Sequence, residues 1–362
     1  MIEYNPDRIK LARESEGYTQ NQLALHLKTL SQSKLNKIEN RQTVPTDEII
    51  EEIATFLGYP KSFFQVSNGI VPYIKEYYYR RNLGIPQRQK MAFDAQMTII
   101  AENINILFEA IEINIRVPFL DLEEEEITPE RVAQKVRSLF GIEKGAINNI
   151  ISVVQKMGII IHFFEPPFSI KIDGVSFITK KGIPVILVNK NASNSRTVFN
   201  VCHELGHLIM HYKYMVSDRR DVEDEANRFA SEFLMPVESI KSFLYRLDAP
   251  KLYGLKNYWK VSIKSLIYRA RYLGCISDSQ NRRLMMLYNA NRWAYNEPFE
   301  FEIEEPKLLN KVFQIYYDDL EYSNNEILDL LCLTENKVLL YYDLPEIRKH
   351  FRPIPPKLKL ML

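Results

Sequence analysis

The chain has 362 residues, 46% hydrophobic and 26% charged, the balance of a soluble globular protein, and its length favours two or three domains. No apolar run approaches the ~20 residues of a membrane helix, and residues 1–17 lack the apolar segment of a secretory signal, so a cytoplasmic protein with no membrane partner is expected. Cys202, Cys275 and Cys332 stand far apart without a CxxC pair, which excludes a disulfide framework or a cysteine-rich zinc ribbon; a net charge of +1 excludes a wholly basic coat but leaves a local basic face open.

Through the first 66 residues apolar side chains recur at helical spacing between turn signals at Gly17, Leu30-Ser31, Pro45 and Gly58-Tyr59-Pro60, which predicts one small all-α domain. Tyr73, Tyr77, Tyr78, Tyr79, Arg80 and Arg81 then form an aromatic and basic cluster, followed by a helical connector from about Gln87 to about Ile113. The acidic run Glu123 to Glu126 reads as a solvated linker or helix lead-in, since Thr128, Pro129 and Glu130 supply N-cap chemistry for a helix through Val132, Val136 and Leu139. A helix from about Ala146 to Met157 is expected next, then three strands, Ile159 to Phe164, Val175 to Thr179 and Ile183 to Val188, each β-branched or aromatic and bounded by Gly or Pro.

Asn194 or Ser195 is expected to cap the following helix, whose buried face carries Val198, Val201, Leu205 and Leu208. A second helix runs from about Val222 to Leu234 and stops at Pro236; helical patterning continues to about Trp293 and again from Lys307 to Tyr342. The fold class is therefore α+β and predominantly helical, divided into residues 1–68, a helical connector 69–127, a central domain 128–245 with a small sheet, and a helical C-terminal region 246–362.

Thr19-Gln20-Asn21-Gln22-Leu23-Ala24, followed by Ser31-Gln32-Ser33-Lys34-Leu35-Asn36-Lys37-Ile38-Glu39-Asn40, resembles the phage-repressor (XRE) type of helix-turn-helix, over most of residues 5–65. In that arrangement Thr19 caps the positioning helix, Leu23, Ala24, Leu35 and Ile38 fill the angle between the helices, and Ser31 starts the recognition helix. Gln32, Ser33 and Lys37 then lie at the early, outward positions that reach base edges, whereas Gln20, Lys34, Asn40 and Arg41 could hold phosphates. The resemblance implies a DNA operator as partner, bound by a homodimer. Eight Lys or Arg against nine Asp or Glu through residue 66 is a weak balance for tight DNA binding, although Asp47, Glu48, Glu51 and Glu52 cluster on a later helix. The alternative is a repressor fold retained for dimerisation or protein recognition.

His203-Glu204-Leu205-Gly206-His207 is an HExxH match: four residues of helix bring both imidazoles to one face, as two ligands of one tetrahedral ion require. Glu204 flanks the remaining coordination site, where it can take a proton from water as it attacks a peptide carbonyl and pass it to the leaving amine. The helix that follows offers Glu223, Asp224, Glu225 and Glu232 as third ligands, and spacing alone does not choose among them.

The run Glu223 to Pro236, of the form E-x-x-A-N-x-F-A-x-x-x-L-M-P, resembles the ImmA/IrrE metallopeptidases, as do Ile172-Asp173-Gly174-Val175-Ser176, Leu187-Val188-Asn189 and, later, Trp259-Lys260-Val261-Ser262 with Leu266, Arg269, Ala270 and Gly274. The resemblance covers about the first 295 residues and implies a minimal zincin-like central domain with Glu223 as third ligand of zinc, or of manganese, which the same donor set accepts. Asn227, one turn on, is expected to orient the ligating carboxylate; Glu225 is the fallback ligand or a solvated carboxylate pointing away.

A continuous helix places His211 ~12 Å beyond His203, too far to share the ion, so it is assigned beside the site or to the surface. His26, His162 and His350 are assigned structural roles, and Tyr212 or Tyr214 could serve as oxyanion donor. The family analogy implies cleavage of a specific repressor or antitoxin-like protein that relieves transcriptional repression in a stress response. The alternatives are a noncatalytic metal-containing transcriptional regulator and an antitoxin-like binding protein.

Overall fold

A computed structural model describes residues 3–66, 85–142, 144–213, 216–217 and 219–351. The aromatic and basic cluster at Tyr73, Tyr77, Tyr78, Tyr79, Arg80 and Arg81 lies outside them, as does Tyr214. The fold is predominantly helical with one small sheet, as the sequence pattern implies.

Helices α1 (Pro6–Ser15), α2 (Gln20–His26), α3 (Gln32–Glu39) and α4 (Asp47–Leu57) build the N-terminal region. Their starts are set by side chains that accept otherwise orphaned N–H groups: Asn5 for α1, a reciprocal Thr19–Gln22 capping box for α2 and Ser31 for α3. Leu23, Leu35 and Ile38 have no exposed surface and fill the α2–α3 angle, whereas Ala24 is half-buried. The Arg13 guanidinium, itself buried, donates to both oxygens of Glu39 at 2.7 and 2.9 Å and so ties α1 to α3. α4 ends at Gly58, whose φ of 71° is the left-handed cap that glycine adopts without a Cβ penalty.

α5 (Gln87–Leu107) packs along α1, where Arg8 and Glu102 pair at 2.7 Å and Gln96 donates to the Ser15 carbonyl. It stops six residues short of the expected end: Phe108 closes it with a bond to the Ile104 carbonyl. α6 (Pro129–Leu139) starts at the Thr128 cap with Pro129 in its first turn, as expected. α7 (Ile150–Lys156) starts later than expected because the Asn149 side chain accepts from the Ser152 N–H and so fixes the boundary there.

Strands β1 (Ile160–Phe164), β2 (Gly174–Ile178) and β3 (Pro184–Asn189) form a sheet in the order β1-β3-β2. β1 is parallel to β3, with Ile160 opposite Val185; β2 is antiparallel to β3, with Val175 opposite Leu187. Because successive side chains of a strand point to opposite faces, β3 serves two cores. Val185 and Leu187, with Ile160, Val175 and Phe177, face a core shared with α1, α4, α5 and residues 309–351. Ile186 and Val188, with Ile161, face a second core built on α8 (Asn194–Met210) and α9 (Val222–Leu234).

The cap of α8 is Ser193 rather than Asn194 or Ser195, and no side chain of its own turn satisfies it; instead the Ser195 N–H donates to the Glu300 carboxylate, a partner 105 residues away. Beyond Pro236 the chain forms α10 (Ala249–Trp259), α11 (Ile263–Tyr272) and α12 (Asp278–Ala290), broken by left-handed residues at Lys260 and Gly274. Then α13 (Leu308–Gln314), α14 (Asn324–Leu331), α15 (Glu335–Tyr341) and α16 (Pro345–His350) return to the first core. There Tyr341 Oη lies 2.8 Å from Tyr59 Oη, its carbonyl accepts from buried His162 at 2.7 Å, and Thr334 donates to the Gly58 carbonyl. Among the described residues no helix is long and apolar enough to cross a membrane.

Candidate metal centre and helix-turn-helix face

α8 and α9 approach closely because Gly206 lacks a side chain: a Cβ there would stand 3.0 Å from the Phe229 ring and 3.4 Å from the Ala226 Cα. The contact sets Glu223, in the first turn of α9, across from the two imidazoles of α8. His203 Nε2 and His207 Nε2 lie 3.0 Å apart, and the Glu223 oxygens lie 3.5 and 3.4 Å from them. Two N or O ligands at ~2.0–2.1 Å from one tetrahedral ion are separated by about 3.3 Å, so the three donors stand at the spacing of a shared cation. Their ligand atoms all fall within 4.8 Å of one another.

The electrostatics suit that use. Burial holds the His207 imidazolium down to about 3, so the ring is the neutral, lone-pair-bearing form that a ligand must be. Burial pushes the Glu223 carboxyl up, but hydrogen bonds from His203 and His207 outweigh it and hold the group well below the usual carboxylate range.

Glu204 faces the other way, toward β2, and accepts from Ser176 Oγ at 2.7 Å. A Cβ on Gly174 would meet the Glu204 Cγ and the Leu187 carbonyl at 3.2 Å each, so the strand backbone can press against this carboxylate only because residue 174 is glycine. Burial raises the Glu204 carboxyl to about 7, against the lowering effect of His203 and of Ser176. Its proton affinity is thus poised for transfer near neutrality.

His203, Glu204, Glu223 and Asn227 line a cleft of ≈ 680 Å³ that Tyr288 and Trp293 also line. Nothing in their sequence spacing marks those aromatic residues as facing the HExxH helix. Tyr212 does not line the cleft: its hydroxyl points at the Ile178 carbonyl, 3.5 Å away.

Asn227 has a different partner from the one expected: its side-chain oxygen lies 3.0 Å from His203 Nδ1 and so anchors a histidine rather than the Glu223 carboxylate. Glu225 is neither a ligand of the His203–His207–Glu223 group nor a solvated carboxylate pointing away. It lies 2.8 Å from His211 Nε2 and accepts two bonds from Arg220, at 2.9 and 2.8 Å. His211, at the C-cap of α8, is fully buried beside the site, with Nδ1 3.0 Å from His207 Nδ1. The remaining histidines are packed elsewhere: His26 stacks on Phe56 and His350 on Tyr317.

On the helix-turn-helix face, Gln32, Ser33, Lys34, Lys37, Asn40 and Arg41 are exposed along and just beyond α3. Gln20 is half-buried and bridges the two helices: it donates to Glu39 at 2.7 Å and accepts from Gln32 and from Asn36. Asn36, not singled out by its sequence position, sits between Gln20 and Asn40, and Arg41 pairs with Asp7 at 2.6 Å.

Comparison with known families agrees with both regions. Residues 156–271 match the IrrE N-terminal-like domain (Peptidase_M78), and residues 9–64 match the Helix-turn-helix family HTH_3. No curated protein matches the chain. The chain thus carries, in order, a region that matches the XRE-type helix-turn-helix model over residues 9–64 and a region that matches the IrrE N-terminal-like Peptidase_M78 model over residues 156–271.

Proposed function

We propose that the chain is a regulatory zinc-dependent endopeptidase that cleaves a specific repressor or antitoxin-like protein and thereby controls transcription at an operator its helix-turn-helix domain binds. The observation that carries the reading is the triangle of His203, His207 and Glu223 at the spacing of a shared tetrahedral ion, with Glu204 buried beside it at one end of an open cleft. His203, His207 and Glu223 would hold the ion, zinc or manganese, which would supply Lewis acidity beside Glu204.

The chain's own residues supply the rest. Ser176 holds one Glu204 oxygen, which leaves the other to take a proton from water and return it to the leaving amine. Asn227 fixes the ring of His203. β2 lies at the edge of the sheet and Gly174 lines the cleft, so an extended substrate segment could add to β2 and bring a peptide bond over the site. On the DNA side, Gln32, Ser33 and Lys37 would contact base edges, with Gln20, Lys34, Asn40 and Arg41 on phosphates, in a homodimer on a symmetric operator.

The test compares new protein N-termini in host cells expressing the wild-type chain with those expressing Glu204→Gln, in normal growth and after DNA damage. One small regulator cleaved only with the wild type is the expected result. Coincident profiles with metal confirmed in both proteins would replace the reading by a noncatalytic metal-containing regulator.

A further inference from the structure

We infer that His211, Glu225 and Arg220 form a positioning chain that fixes the ring and tautomer of His207 for metal binding; the inference rests on the metal-site reading above. The proton positions follow by elimination. His207 Nε2 points at His203 and Glu223, so as a ligand it presents its lone pair there and carries its proton on Nδ1. That Nδ1–H has His211 Nδ1 before it at 3.0 Å, so His211 Nδ1 accepts, and the His211 proton sits on Nε2. His211 Nε2–H then donates to Glu225 at 2.8 Å, and Glu225 is in turn clamped by both prongs of the Arg220 guanidinium.

The opposite proton arrangement would put a hydrogen on His207 Nε2, where the ion must sit. Both nitrogens of His211 are thereby committed, which is why a fully buried third histidine beside the site is not a fourth ligand.

The two ligand histidines are consequently held by different means. His203 donates to one neutral amide, whereas His207 is held through an interposed imidazole by an ion pair. Ligand histidines in general give their second N–H to an acceptor that orients the ring, and loss of that acceptor weakens metal affinity by about 10–100-fold.

The full-length chain, stripped with a chelator, is titrated with Zn2+ against a chromophoric competitor, and its histidine tautomers are read by 15N NMR. His211→Phe is expected to bind Zn2+ about 10–100-fold more weakly than wild type; Glu225→Gln, which loses the charge but keeps a carbonyl that accepts from His211, is expected to lose about three- to tenfold, and His211→Gln, whose carbonyl can accept from His207 Nδ1, to recover part of the His211→Phe loss. Wild type is expected to show His211 protonated on Nε2, a signature that mere packing by the ring would not require. If both Glu225→Gln and His211→Phe bind Zn2+ within twofold of wild type, or His211 carries its proton on Nδ1, the positioning chain is wrong while the metal site stands. Should His211→Phe fail to fold, Glu225→Gln decides alone, because it keeps the side-chain shape. A wild-type chain that takes up no Zn2+ overturns the metal-site reading and the chain of bonds with it.

Discussion

The metal centre and the helix-turn-helix face are organised in opposite ways. Around His203, His207 and Glu204 each functional side chain is buried or nearly so and is held by a partner: Asn227 of α9 on His203, Ser176 of β2 on Glu204, and on His207 the helix-end His211, itself tied to Glu225 of α9. On and just beyond α3 the candidate contacts are exposed, and the bonds they make are surface ones, as between Asn36 and Asn40, Gln32 and Gln20, or Arg41 and Asp7. A site that must hold fixed geometry recruits supports from several elements, whereas a surface that meets an outside partner needs only a rigid backbone beneath it. Substitutions should therefore be costly in the first region and locally silent in the second.

The largest effect is expected at Glu204. Glu204→Gln should lower cleavage of the regulator by about 10²–10⁴-fold, the usual weight of a general base, while Zn2+ affinity stays near wild type; a matching loss of metal would mean that the residue is structural. Next comes the buried pair between Arg269, on α11, and Glu232, on α9, in which Arg269 also donates to the Met235 carbonyl at 2.8 Å. Arg269→Met should cost about 3–5 kcal/mol in denaturant unfolding, because it strands Glu232 in the core. A cost below ~1 kcal/mol would show that the metal side of the molecule is no more tightly supported than the exposed face of α3.

A smaller effect carries a pH signature. Asp94 on α5 is half-buried, its Oδ1 has no hydrogen-bond partner among the described residues, and burial, then the charge of Glu14, lifts its carboxyl to about 7. A carboxyl raised above its unfolded value keeps its proton in the folded chain while the unfolded chain has lost it. The stability it contributes is thus full below pH ~4 and lost as pH rises through ~7. Asp94→Asn should raise stability by about 1–2 kcal/mol at pH 8 and leave it little changed at pH 4, measured by chemical unfolding at both values; equal effects at the two pH values would contradict the assignment.

The smallest effect on folding belongs to the DNA face. Lys37→Ala should change stability by less than about 0.5 kcal/mol, yet weaken binding to operator DNA; loss of stability comparable to Arg269→Met would erase the contrast between the regions.

The same contrast explains what could be read from the sequence. HExxH and the α2–α3 pair are legible because helical periodicity alone puts His203 and His207 on one face, and Leu23, Leu35 and Ile38 in one angle. Supports that arrive from elsewhere in the chain have no such period. Glu300 capping α8, Ser176 holding Glu204 and Tyr288 walling the cleft are products of the tertiary fold. Glu225 is the instructive case: its place two residues after Glu223 suggests a side chain turned away into solvent, but the end of α8 carries His211 into that space. The i, i+4 repeat of histidines through His203, His207 and His211 was the available sign of this.

The bond between Tyr59 and Tyr341, with Val185 and Leu187 behind it in the same core, has an evolutionary consequence. A DNA-reading cassette on a flexible tether can be exchanged for another by recombination at the tether. Here the cassette's underside is completed by the sheet and by a segment almost 300 residues downstream. If the domain reads an operator as proposed, a change of target has to come through point substitutions on the outer face of α3, because grafting in a foreign repressor head would leave the reverse side of the sheet bare.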